Sequence, residues 1–348
     1  MGSKINQTTD KKPIIGFQQN YYFIDIAKDA YNQHAIVNSF TFFNSINNIF
    51  YLIYANINKS IIFFDILNNK KIAEIKRAHK DYVTSFRHYS DIINKRDLII
   101  SICRDDNNIK LWDVYNLECL LNLDNVNNDG SLNSACFLND NNQIYIISSN
   151  YRIGYKSEPI KIYDINGNII KEINNSNEIE DDVNIIDFYY DNQLSKNYII
   201  CGTNYYVKSY DYNKNEVYHI YQDEDYFSHS YIAINKKQKI IELIESSEKN
   251  IRIWNFHSAE LLNIITPNIS PKGLCLFNNM YLLVYSDNKE INIIDLEKNM
   301  VVDIISTDGK DIISMKRLIH PIYGECLISQ GYSRYYENGI KLWIKKNN

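Results

Sequence analysis

The chain has 348 residues, a net charge of −5 at pH 7, and 45% hydrophobic against 23% charged side chains, with an isoelectric point near 5.8. That balance excludes a broad basic footprint for nucleic acid or membrane surfaces, both of which need clustered positive charge. The N-terminus lacks an apolar signal core and no run approaches the ~18 apolar residues of a membrane span, so neither export nor a spanning segment is expected.

Taken in chain order, residues 1–12 read as a polar tail. Gly2 raises the question of N-myristoylation, but Asn6 stands where Ser or Thr is wanted. Two apolar runs follow, Pro13 to Phe17 and Tyr21 to Ile26. Beyond them one short pattern recurs seven times: an apolar-polar-apolar triplet, an aromatic or apolar residue, then usually Asp. The copies end at Phe64-Asp65, Trp112-Asp113, Tyr163-Asp164, Tyr210-Asp211, Trp254-Asn255, Ile294-Asp295 and Trp343-Ile344, spaced 40 to 51 residues apart. Self-similarity at that period marks a repeat architecture.

Between the copies lie short runs with period-two alternation or dense Ile, Val, Tyr and Phe, separated by Asn/Asp clusters; these predict strands and turns. Set two predicts strands over Tyr82–His88, Asp97–Cys103, Asn108–Asp113 and Leu117–Leu123. Similar four-strand sets start near Ala35, Ser131, Val183, Ser228, Lys272 and Asp311, and no convincing helix of ten residues occurs. Gly is scarce, at 11 residues, but Asn and Asp tolerate positive φ and bond their own backbone, so they can take over its turn work. Only five residues follow Trp343, too few for a fourth strand. One of the two N-terminal apolar runs is therefore expected to complete the seventh set and close the ring, which removes an exposed sheet edge. The expected fold is all-β, a single seven-bladed β-propeller over residues 13–348 with four antiparallel strands per blade.

These features resemble the WD40-repeat superfamily across almost the whole chain. Set two carries the best match: Ala78-His79 at the Gly-His position, Ser101, Asp105 or Asp106 at the tight turn, and Trp112-Asp113. The resemblance implies a hydrogen-bonded structural tetrad of His79, Ser101, Asp106 and Trp112 that locks one blade. It implies a second one in set five from His229, Ser246, Glu248 and Trp254. In the other sets most Gly-His pairs are gone, which weakens individual blades and not the ring.

No catalytic signature is present: there is no GxSxG, GxxxxGK[ST] or HExxH. The seven histidines never pair at metal-ligand spacing. The six cysteines are scattered without a CxxC pair, and four lie in apolar strand-like runs where a thiol acts as a small hydrophobe. No cofactor, metal or catalytic residue is expected, and channel-facing runs such as Tyr82–His88 and Ser131–Phe137 are nearly free of acids.

The loops remain. Two upper-face turns, over residues 149–159 and 331–338, combine Arg with Tyr, residue types enriched at interface hot spots. Candidate partner contacts are Tyr151, Arg152, Tyr155, Arg334, Tyr335 and Tyr336. Acidic links at 178–182 and 223–225 would steer a basic peptide segment toward the same face. The expected function is a non-enzymatic protein–protein interaction scaffold, cytoplasmic with the nucleus as the alternative, working as a subunit of a larger complex. An RNA-associated propeller is the runner-up, since Arg and Tyr can stack on bases. A channel hydrolase and a phosphoinositide binder rank below it, because the channel-facing runs are nearly free of acids and no Arg-Arg pair occurs.

Overall fold

The computed structural model describes residues 21–31, 39–124, 131–151, 159–173, 183–203, 205–222, 231–237, 240–247, 249–277, 280–285, 289–307, 311–332 and 339–345. Among them, 28 strands form seven four-stranded antiparallel sheets. Blades one to six occupy residues 40–75, 85–123, 131–173, 183–221, 231–265 and 273–306, each with its strands in chain order. Blade seven takes three strands from 311–345, and its outer strand is Tyr21–Ala27, paired antiparallel with Ile340–Lys345. The ring is thus closed by the chain's own beginning, through the second of the two N-terminal apolar runs. All-β and seven-bladed, the molecule is a β-propeller.

The recurring pattern has a packing explanation. On the third strand of blade two, Ile109 and Leu111 face one way, into the core shared with Leu132, Ala135 and Ile146 of blade three. Trp112 faces the other way, into the core shared with Ile53 and Phe63 of blade one. A third strand buried on both faces has to be apolar at alternate positions on one face and carry its large side chain on the other. Each pair of neighbouring blades therefore seals one wedge of core, and the blade seven–blade one wedge is built the same way from Phe40, Leu52, Leu318 and Leu342.

The Asp that follows has a different task. Asp113 Oδ1 accepts the N–H groups of Tyr115 (2.8 Å) and Asn116 (3.1 Å) in the turn to the outer strand. Asp65, Asp211 and Asp295 accept equivalent pairs, Asp164 bonds Asn166 and Asn168, and Asn255 takes the role in blade five. A short acceptor side chain satisfies turn donors that the strand ladder cannot reach. Ile344 stands at this position in blade seven, inside the strand Ile340–Lys345. Asn48, Asn69, Asn107, Asn141, Asn142, Asn215 and Asn299 sit at positive φ, where Asn replaces the missing glycines at small cost.

Strand limits differ from expectation at a few points. The first strand of blade two is Ser85–Asp91 and not Tyr82–His88, because Thr84 leaves the ladder to bond Ile102 O through both its N–H and its hydroxyl. The outer strand starts at Cys119, two residues past Leu117, whose φ of 57° belongs to the turn. All six cysteines are free thiols.

Candidate functional site

Blade two is pinned by a buried polar chain. The Trp112 indole Nε1–H donates to Ser101 Oγ at 2.8 Å, and the same hydroxyl meets His79 Nε2 at 2.7 Å. His79 Nδ1 lies 3.6 Å from Asp106 Oδ2, and that carboxylate oxygen also accepts the Lys80 N–H at 3.0 Å. Pairing explains the meeting. Trp112 stands opposite Ile99, so Ser101, two residues further on, shares the Trp112 face one pleat away. Burial pushes the His79 imidazole below its ordinary pKa, opposed by Asp106. The thiol of Cys103 lies beside them, pushed up to about 12 chiefly by burial. His79, Cys103 and Asp106 each place a ligand-type atom within 4.8 Å of the others. Ser101 and Lys80 already occupy His79 Nε2 and Asp106 Oδ2, so the arrangement serves as a lock for the blade.

Blade five departs from expectation. Trp254 stands opposite Leu243, so the position matching Ser101 is Glu245, not Ser246. The Trp254 Nε1–H points at Glu245 Oε1, 3.4 Å away, and Arg252 Nη1 lies 3.8 Å from the same oxygen. Both members of that ion pair are buried. Ser246 faces the other side of the sheet, fully buried, its hydroxyl without a hydrogen-bond partner among the described residues. Ser246 is therefore corrected out of the blade-five lock; a one-residue step on a strand reverses the face. His229 and Glu248 lie outside the described residues. A further lock escaped the sequence: Trp343 Nε1–H donates to Ser329 Oγ at 2.8 Å in blade seven.

Polar ties also run between blades. Asp97 of blade two accepts the Ile46 N–H of blade one at 2.9 Å, together with His88 at 2.8 Å, Ser90 at 2.9 Å and the Tyr115 hydroxyl. Burial alone would raise its pKa, but these donors outweigh it and hold the carboxyl at about 2. The His88 ring stacks on Phe43 of blade one at 3.5 Å. Between blades seven and one, the Ser39 hydroxyl donates to Gln330 Oε1 and Lys316 Nζ donates to Phe40 O at 2.9 Å.

Around the ring centre, the first strands of blades two, four and six bring Arg87, Asp187 and Cys275 into electrostatic range of Lys316 on the first strand of blade seven. Burial lowers the Lys316 pKa to about 7, with Arg87 acting in the same sense and Asp187 and Cys275 opposing. Asp187 adds an acid to a set of strands in which the sequence expected almost none.

The candidate partner contacts fall mostly elsewhere. Tyr151 ends the second strand of blade three, its backbone paired with Ser131, so that strand runs three residues into the predicted loop. Arg152, Tyr155, Arg334, Tyr335 and Tyr336 lie outside the described residues, as do the acidic links 178–182 and 223–225, the polar tail with Gly2, and Pro13–Phe17. No helix among the described residues is long and apolar enough to cross a membrane. No family model matches the chain, and no curated protein matches it.

Proposed function

We propose that this propeller is a non-enzymatic protein–protein interaction scaffold of the WD40-repeat type, acting in the cytoplasm as a subunit of a larger complex. The observation that carries the proposal is the ring itself. Seven sheets are closed by the pairing of Tyr21–Ala27 with Ile340–Lys345, which gives a rigid frame from which every blade presents turns at two rims. Loops on such a frame are free to vary and to bind, while the sheets keep their spacing. The Trp112–Ser101–His79 chain supports the WD40 assignment, because it joins side chains that the family resemblance alone would bring together.

Partner contact is assigned to Tyr151, Arg152, Tyr155, Arg334, Tyr335 and Tyr336, with the acidic links at 178–182 and 223–225 attracting a basic segment of the partner. The test is a pull-down from native cells comparing the wild-type chain with Arg152→Ala/Tyr155→Ala, read by mass spectrometry. A defined set of proteins should disappear with the variant while its melting temperature stays unchanged. Recovery of the same proteins by both chains removes this choice of face, and recovery of none by either removes the scaffold proposal.

A further inference from the structure

Turns in this chain are mostly built from Asn and Asp, which makes the exceptions informative. At the rim carrying the hairpins between first and second strands, blade two turns through Asp91 to Arg96 with Ile92 and Ile93 at 77% and 64% exposure. The matching turn of blade seven exposes Ile322 at 69%, along with Ile319 and Tyr323, and that of blade one exposes Ile46. Exposed isoleucines on outer strands, such as Ile264, alternate with less exposed neighbours, as a half-buried strand requires. Turn positions have no such requirement. A group of apolar side chains held out to solvent is therefore a sign of a contact surface.

The three turns belong to adjacent blades and are tied together. The Ile46 N–H bonds to Asp97 of blade two. The His320 ring of blade seven lies 5.9 Å from Phe50 of blade one, and His320 Nδ1 accepts the N–H groups of Ile322 (3.1 Å) and Tyr323 (3.3 Å). Beside Asn94 and Arg96 the surface runs into a cleft of about 420 Å³ between blades two and three, with Tyr145, Ile165 and Ile170 in its wall. An aliphatic side chain fits such a cleft.

Charge selects the occupant. Carboxylates of this sector are used internally: Asp91 by Asn94 and Arg96, Asp65 and Asp113 by their own turns, Glu325 by Arg317. Lys70, Lys95 and Lys345 are exposed, with no side-chain partner among the described residues, and the exposed acid Glu118 lies in the blade-two turn between third and outer strands at the same rim. We propose that the rim over blades seven, one and two is a docking surface for a protein segment carrying aliphatic anchors between acidic residues. It rests on the scaffold proposal and adds a second contact, on the rim opposite the one that Tyr151 approaches. Unpaired cations around an apolar centre favour acidic segments by steering their approach and disfavour basic ones.

The test places the photo-crosslinker p-benzoylphenylalanine at Ile93, Ile322 or Arg152 of the full chain in native cells and sequences the crosslinked peptides. Expected is one partner segment, rich in Asp or Glu with Ile, Leu or Val, reached from both Ile93 and Ile322. Lys70→Glu/Lys95→Glu should cut the yield at Ile93 at least about fivefold, since rim charges act on association. Crosslinks to a basic segment, to lipid, to a second copy, to residues 13–17 of the same chain, or none at either rim position overturn the proposal. If the Arg152 probe alone captures a partner, the scaffold survives and this surface falls. If no position captures anything, both fall.

Discussion

Two buried serines on equivalent strands should respond in opposite ways to the same substitution. In Ser101→Ala the missing hydroxyl strands Trp112 Nε1 and His79 Nε2, both buried and both bonded to it at 2.7–2.8 Å. Leaving a buried polar group unpaired costs about 1–3 kcal/mol, so two of them give about 2–6 kcal/mol. At about 2.1 cal/mol/K per residue, a chain of 348 residues unfolds with an entropy of about 0.7 kcal/mol/K. A loss of about 3 kcal/mol then lowers the melting temperature by about 4 °C. Ser246→Ala removes a buried hydroxyl that has no described partner; deleting an unsatisfied group costs nothing or stabilises slightly. Scanning calorimetry with urea titration reads both variants against wild type. Equal losses, or a Ser101→Ala shift under about 1 °C, would refute the idea that register and not residue type decides which serine locks its blade.

Arg252→Ala should cost about 3–5 kcal/mol in urea unfolding, because it leaves the Glu245 carboxylate buried beside Trp254 without its cation; a loss below about 1 kcal/mol counts against a working ion pair. Lys316→Met should raise stability in a pH-dependent way. The amine has a pKa near 7 in the fold against about 10.4 unfolded, so its stabilising neutrality is present above about pH 10 and is lost as pH falls through 7. The gain from removing it is therefore largest at and below pH 7 and gives way to a small loss near pH 10, where only the missing bond to Phe40 O remains, and an effect independent of pH would contradict the assignment. His79, His88 and His320 all have pKa values lowered by burial, so the unfolded chain protonates first. Urea midpoints should fall as pH drops from about 6.5 toward 5, and a flat profile over that range would argue against burial of these rings.

The ring was legible because seven copies of one strand pattern reinforce each other, and because the N-terminal apolar run Tyr21 to Ile26 offered a strand to the seventh set, where the pairing is found. The side-chain locks were less so. Residue type points to the serine at the end of Ile241-Glu242-Leu243-Ile244-Glu245-Ser246, yet polar and apolar residues there do not mark which face is which; only pairing with Trp254 shows that Glu245 holds the position. Ser329 was missed because the hydroxyl-to-indole separation changes with the hairpin, from 11 residues in blade two to 14 in blade seven. The Asp of the motif was visible as a pattern, but its reason, two N–H groups of the next turn, appears only in three dimensions. Apolar turn residues such as Ile92 and Ile322 gave no signal at all, since isoleucine abounds throughout the chain.

The placement of the locks bears on where this ring can bear load. The propeller is closed with two chain ends in blade seven, where Tyr21–Ala27 is held by its pairing, by burial of Ile26 and Ala27 in the core shared with blade one, and by ring contacts such as Phe23 on Trp343 at 5.3 Å. That same indole is fixed from the other side by Ser329. Blade one lacks a Trp at the motif position, yet it is tied on both flanks: to blade seven through Ser39–Gln330 and Lys316–Phe40, and to blade two through Asp97 and the Phe43–His88 stack. Blade two then carries its own lock. Polar ties of this kind cross other seams too, as where Tyr221 donates to Phe256 O and His257 meets Asp191 between blades four and five, so the closure is steadied in the same way as the rest of the ring. The sector so reinforced is the one that holds Ile46, Ile93 and Ile322 out to solvent. A surface that must keep apolar anchors on three separate turns in one arrangement benefits from a rigid base, and the ties on both flanks of blade one supply one.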